Sequence, residues 1–83
     1  MYHYRDRQRR EIDFILEEGS HNIFGIEVKG GSHIGKEDFK HLKWFKDNMA
    51  KNKTFLGIIL YSGENTLYFA EDLIALPIAV LWN

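Results

Sequence analysis

Two carboxylates and one amine stand among strand-forming residues near the start of the 83-residue chain: Asp13, Glu27 and Lys29. Ionisable groups on strands built to be buried are costly to desolvate unless they are paired or coordinated. An Asp and a Glu brought together supply hard oxygen ligands for Mg²⁺ or Mn²⁺, with positions left for water and a phosphate oxygen. Such an ion lowers the pKa of its bound water and neutralises charge building on a scissile phosphate. A lysine beside it orients the attacking water or holds the phosphate as a point charge. The chemistry this set suits is metal-dependent hydrolysis of a phosphodiester, with Asp13 and Glu27 as metal ligands and Lys29 assisting.

The elements around the three residues must bring them to one place. From Glu11 to Glu17 the chain partly alternates, with Ile12, Phe14 and Leu16 on one face and Asp13, Ile15 and Glu17 on the other. Glu18-Gly19-Ser20-His21 is turn chemistry, and Asn22 to Lys29 reads as the returning strand of a hairpin. If Glu18 opposes Asn22 across the loop, Asp13 falls opposite Glu27. Lys29 then projects from the same face, two residues on. Directly opposed Cβ atoms lie only about 4.5–5.5 Å apart, so two carboxylates there would repel unless a cation sits between them. A register one residue off would break the match.

Further along, Phe39, Leu42, Phe45 and Met49 form an apolar stripe at helical spacing, with Gly35 as N-cap and Glu37 and Asp38 in the first turn. The lysines at 40, 43 and 46 line the outer face of that helix. Thr54 to Tyr61 is nearly all apolar, as in a strand covered on both faces. Thr66 to Phe69 pairs back after a turn, and Tyr2-His3-Tyr4 adds a short first strand. Pro77 argues against a central strand near the end of the chain, which predicts an edge strand to about Leu76 and then a helical turn through Trp82. The fold class that follows is α/β: a small mixed β-sheet with one main crossover helix, right-handed and joining parallel strands. One sheet face has no obvious cover.

Composition narrows the classes. Hydrophobic residues at 45% argue against disorder, and a chain of this length makes one small domain, or part of a larger protein, with a thin stability margin. The absence of cysteine removes disulfides and thiolate chemistry. No signal-peptide pattern fits the Arg-rich start, and no apolar run reaches the ~20 residues of a membrane span. The default expectation is a cytoplasmic protein with no membrane partner. The net charge of −1 conceals basic stretches at residues 1–10 and 36–53, which suit a polyanion such as nucleic acid.

Asp13 followed by Ile26-Glu27-Val28-Lys29 resembles the metal-binding core of the PD-(D/E)XK nuclease superfamily, in which Asp lies on one strand and Glu-x-Lys on the next. More closely, "YHYRDRQRREIDFIL", "GIEVKGG", "DFKHLKWF", "GIILYSGE" and "IALPIAVLW" are similar, in order, to the C-terminal nuclease-like domain of a large group of prokaryotic AAA-type, P-loop ATPases. The resemblance spans essentially the whole chain. It implies a restriction-endonuclease-like core over residues 1–83 lacking the opening helix, a C-terminal fragment of a larger ATPase, and an ATPase domain as partner. It also implies a Mg²⁺ or Mn²⁺ site at Asp13 and Glu27. Two departures stand out: the chain starts at a strand, and it contains no Gly-rich phosphate loop.

Plainer readings accompany these. Asp13, Glu27 and Lys29 could form a structural ion cluster on a degenerate nuclease site, leaving a binding or oligomerisation module. His33, after the Gly30-Gly31 turn, could reach the site or simply lie on the surface. Trp44, Phe45 and Met49 suit core packing. The apolar end, with Leu76, Ile78, Val80, Leu81 and Trp82, folds back on the sheet or meets another subunit in a homo-oligomer.

Overall fold

Alternation of side chains along the strands decides which sheet face is buried. The structure is a computed structural model describing residues 1–79. It contains β1 (Tyr2–Arg5), β2 (Glu11–Glu18), β3 (Asn22–Val28), a 3₁₀ turn (Lys36–Phe39), α1 (Lys40–Met49), β4 (Thr54–Tyr61), β5 (Leu67–Ala70) and β6 (Leu73–Pro77). The strands form one mixed sheet in the order β1-β2-β3-β4-β6-β5. β1, β2 and β3 form an antiparallel meander, β3, β4 and β6 run parallel, and β5 pairs antiparallel with β6. The expected mixed α/β sheet with one crossover helix between parallel strands is therefore present, α1 lying between β3 and β4 in the chain.

The helix sits on the face formed by Ile15, Ile23, Phe55, Ile59, Tyr61 and Ala75, all buried. Its own contribution is Phe39, Leu42 and Phe45, also buried. Close approach is possible because Gly25 on β3 pairs with Gly57 on β4. A Cβ on Gly25 would meet Leu42 Cδ2 at 2.7 Å, and one on Gly57 would meet Leu73 Cδ2 at 2.9 Å. The two glycines make a flat seat in the sheet on which Leu42 rests. The stripe expected from Phe39 to Met49 holds for its first three members only. Met49 is exposed and Ala50 is buried in its place, because the helix stops there with the Ala50 N–H on the Phe45 carbonyl.

The opposite face carries Phe14, Leu16, Phe24, Ile26, Val28, Leu56, Ile58, Leu60, Ile74 and Leu76. Among these, Phe14 and Val28 keep 41% and 47% of their surface exposed. Among the described residues the one α-helix lies on the other side, so β4, expected to be covered on both faces, is fully buried on one face and half-buried on the other.

Pro77 lies on an interior strand, contrary to the expected edge position. β6 runs between β4 and β5, and Tyr61 pairs with Pro77 at its last residue. The Asp72 carbonyl accepts from Gly57 N at 2.8 Å, which puts the backbone groups of even-numbered β6 residues on the β4 side. The missing Pro77 N–H therefore falls on the β5 side, beyond the last pair there, Leu67 with Ala75. No ladder bond is lost, and the proline is tolerated. The end of the helical turn expected through Trp82, with the apolar contact residues Val80, Leu81 and Trp82, lies outside the described residues.

Candidate functional site

Glu27 faces the helix side of the sheet, in line with Ile23 and Gly25, one residue before the end of β3. Ile59 is its partner on β4. The helix seat covers Gly25 but leaves a small hollow over Glu27, about 210 Å³ in volume and lined by Glu27, Val28, Lys29, Asp38 and Ile59. Among the described residues no hydrogen bond reaches the Glu27 carboxyl. Burial first, then the charges of Asp13, Asp38 and Glu11, push its pKa up to about 7.

Asp13 is near enough to Glu27 to repel it, but it does not oppose it in the ladder. The β2–β3 pairing begins at Glu18 with Asn22, as expected, and stops at Phe14 with Ile26. On its other side β2 shifts register against β1, where Tyr2 pairs with Ile15 but Tyr4 with Ile12. The extra residue is a β-bulge, which bends the strand locally and re-aims side chains. At that point Asp13 Oδ2 accepts the Val28 N–H at 2.7 Å, in the place a regular ladder would give the Ile12 carbonyl. One Asp13 oxygen thus closes the end of the hairpin, and the head-on contact of two carboxylates is avoided.

Lys29 lines the hollow, but its amine is engaged. Its Nζ donates to Asp38 Oδ1 and to the His33 carbonyl, each at 2.7 Å. Asp38 in turn accepts Gly35 N at 2.8 Å through Oδ2, closing the first turn of the 3₁₀ segment. The Gly35 N–H and then the Lys29 ammonium hold the Asp38 carboxyl below the usual aspartate range. His33 therefore joins the site through its backbone carbonyl. Asp38 is the member that reading the sequence missed as a site residue. Its place three residues after Gly35 signals a cap, but nothing local signals the reach to Lys29.

The donor set meets the demands of a hard cation in part. Among the described residues, both Glu27 oxygens and Asp13 Oδ1 are free of hydrogen bonds, whereas both Asp38 oxygens are taken. Mg²⁺ is commonly held by one or two carboxylates, with water and substrate phosphate completing the shell. No group of three His, Cys, Asp or Glu able to hold a metal unaided occurs among the described residues. Within residues 1–79 no helix is long and apolar enough to cross a membrane.

Compared with known families, residues 1–81 match the model of a domain of unknown function, DUF4143, and the chain belongs to that family. Searches of the curated proteins and of the solved structures returned no match.

Proposed function

We propose that this member of a family of unknown function is a nuclease-like domain of a larger ATPase, acting in metal-dependent hydrolysis of a nucleic-acid phosphodiester. The observation that carries the reading is Glu27, a half-buried carboxyl with unpartnered oxygens held at about 7 by burial and by Asp13, Asp38 and Glu11. A carboxyl kept under such repulsion weakens folding, and one divalent cation would relieve it. Perturbed carboxyls of this kind concentrate at functional sites. Asp13 Oδ1 and Glu27 would hold Mg²⁺ or Mn²⁺, which when bound supplies charge neutralisation on the phosphate and a more acidic water. Lys29, steered by Asp38, would stand beside the phosphate as a fixed positive charge. The order of sequence segments resembling prokaryotic ATPase C-terminal domains supports the assignment to a larger protein, with the ATPase domain as its partner.

The test is cleavage of a dye-labelled oligonucleotide in millimolar Mn²⁺ by the wild-type chain, Asp13→Asn and Glu27→Gln. The expected result is cleavage by the wild type that either substitution reduces by about 100-fold or more, as when a charge-stabilising group is removed. Equal activity in all three proteins would refute the site.

The engagement of Lys29 by Asp38 and His33 favours a second reading, a non-catalytic module with a retired site. In that reading the half-exposed apolar face with Phe14, Leu16 and Val28 serves assembly with the ATPase or with another copy of the chain. Millimolar Mn²⁺ would then leave the melting temperature unchanged. Light scattering after size-exclusion chromatography would show a species heavier than the monomer.

A further inference from the structure

The second cavity lies across the 3₁₀ turn from Glu27, and its lining combines charge with apolar surface. It has a volume of about 420 Å³, within the range that small ligands occupy. Lys36 from the 3₁₀ turn and Lys40 and Lys43 from the helix border it, and Phe39, Phe69 and Leu73 contribute apolar lining. Phe39 and Phe69 pack together with ring centroids 4.8 Å apart. The next lysine of the row, Lys46, is neutralised in an ion pair with Asp72. Among the described residues Lys36, Lys40 and Lys43 have no such partner, and all three are exposed. Glu37 is the one carboxylate on the rim.

We infer that this groove binds single-stranded nucleic acid, with phosphates along Lys36, Lys40 and Lys43 and a base over the apolar floor by Phe69. Lys40 and Lys43 share a helix face one turn apart, and Lys36 precedes them on the 3₁₀ turn at the same groove, so they form a row and not isolated charges. A row of cations recognises a chain of phosphates without regard to sequence. The apolar floor adds a second demand, because an unpaired base has a free face to lay on it and a duplex does not. The inference rests on the reading of the domain as one that acts on nucleic acid, and it names the strand-binding surface for the neighbouring carboxylates. Asp38 and Phe39 adjoin in the chain, one lining each cavity, so a strand in the groove lies beside the Glu27 hollow.

The experiment is fluorescence anisotropy of a dye-labelled oligothymidylate with the full chain in EDTA, so that binding is read without metal or cleavage. The expected result is single-strand binding that outcompetes a duplex of equal length. Lys40→Gln/Lys43→Gln is expected to weaken binding by about tenfold at low salt and to cut the slope of log K against log salt by about 1.4. The control Lys51→Gln/Lys53→Gln, an equal charge change past the end of the helix, should change binding by less than about twofold. Equal losses in both double variants, or duplex bound as tightly as single strand, would overturn the inference. Cleavage in Mn²⁺ that survives Lys40→Gln/Lys43→Gln without loss of binding would also overturn it, leaving the carboxylate site standing. Lysine-dependent binding with no cleavage in Mn²⁺ upholds the groove and removes the hydrolytic reading.

Discussion

Asp6 and Glu27 are acids near strand ends in the same small sheet, yet their surroundings are opposite. Asp6 accepts the backbone N–H groups of Gln8 and Arg10 at 2.9 and 3.1 Å, Arg10 Nε at 2.9 Å and the Tyr4 hydroxyl at 3.2 Å. The same Arg10 guanidinium lies 3.8 Å over the Trp44 ring, tying the β1–β2 connection to the helix. Burial alone would raise the Asp6 pKa, but the Arg10 and Tyr4 interactions outweigh it and hold the carboxyl below its usual value. Glu27 has burial without compensation, and its neighbours are carboxylates. One acid is spent on holding the chain together. The other is pushed toward its protonated form, and ionising it costs folding free energy.

Substitutions can break this contrast. The largest effect is expected at Asp6→Ala, which leaves two backbone N–H groups and the Arg10 guanidinium without their acceptor. Its melting temperature should fall further than that of any other single acid-to-neutral variant. A smaller change of opposite sign is expected for Glu27→Gln. A shift from 4.5 to about 7 corresponds to ~3 kcal/mol in full, which solvent screening of a half-buried group reduces to about 1–2 kcal/mol. Because the folded pKa is raised, the penalty is absent below about 4.5 and complete above about 7. Urea denaturation should therefore find Glu27→Gln more stable than wild type at pH 8 and equal to it near pH 4.5.

Asp38→Asn should cost about 1 kcal/mol through weakening of the cap at Gly35 and the Lys29 contact. In the same variant the pKa of Glu27, followed by NMR titration, should move toward its ordinary value, since one repelling charge is gone. The same Glu27 effect is read without mutation in the pH profile of the wild type. Stability should rise modestly as pH falls from 8 toward 5 while Glu27 takes up its proton. It should then decline below about 4, where Asp6 and Asp38, both with lowered values, lose their charge. A profile flat between pH 5 and 8 would remove the contrast between the two corners.

Much of the architecture was legible from short-range pattern. The hairpin loop, the Glu18–Asn22 pairing, the parallel strands flanking the helix and the Gly35 cap all follow from turn residues and periodicity. The interior place of β6 was not legible, because it depends on which side of the strand the missing Pro77 N–H faces. The bulge at Asp13 was hidden as well: it shows in the register of β2 against β1, a pairing between strands that local periodicity does not record. In the site, the placing of Glu27 and Lys29 at one hollow was readable from strand parity, whereas Asp13 comes near Glu27 at a bulge and not through the expected direct opposition. The diversion of Lys29 to Asp38 was not, since it depends on the path of the loop from Gly30 to Gly35. Gly25 and Gly57 carried a signal that strand reading passes over: a glycine inside each of two apolar strands marks a close approach, here by Leu42.

The carboxylate site is decided by Mn²⁺ binding, followed by the loss of free-ion EPR signal, in the wild type, Glu27→Gln and Asp13→Asn at pH 8 and pH 6. One ion per chain is expected at pH 8, with about tenfold weaker binding at pH 6 as Glu27 takes up a proton, and no binding in either variant. Absence of binding at millimolar Mn²⁺ in the wild type, or equal binding by Glu27→Gln, would contradict the site.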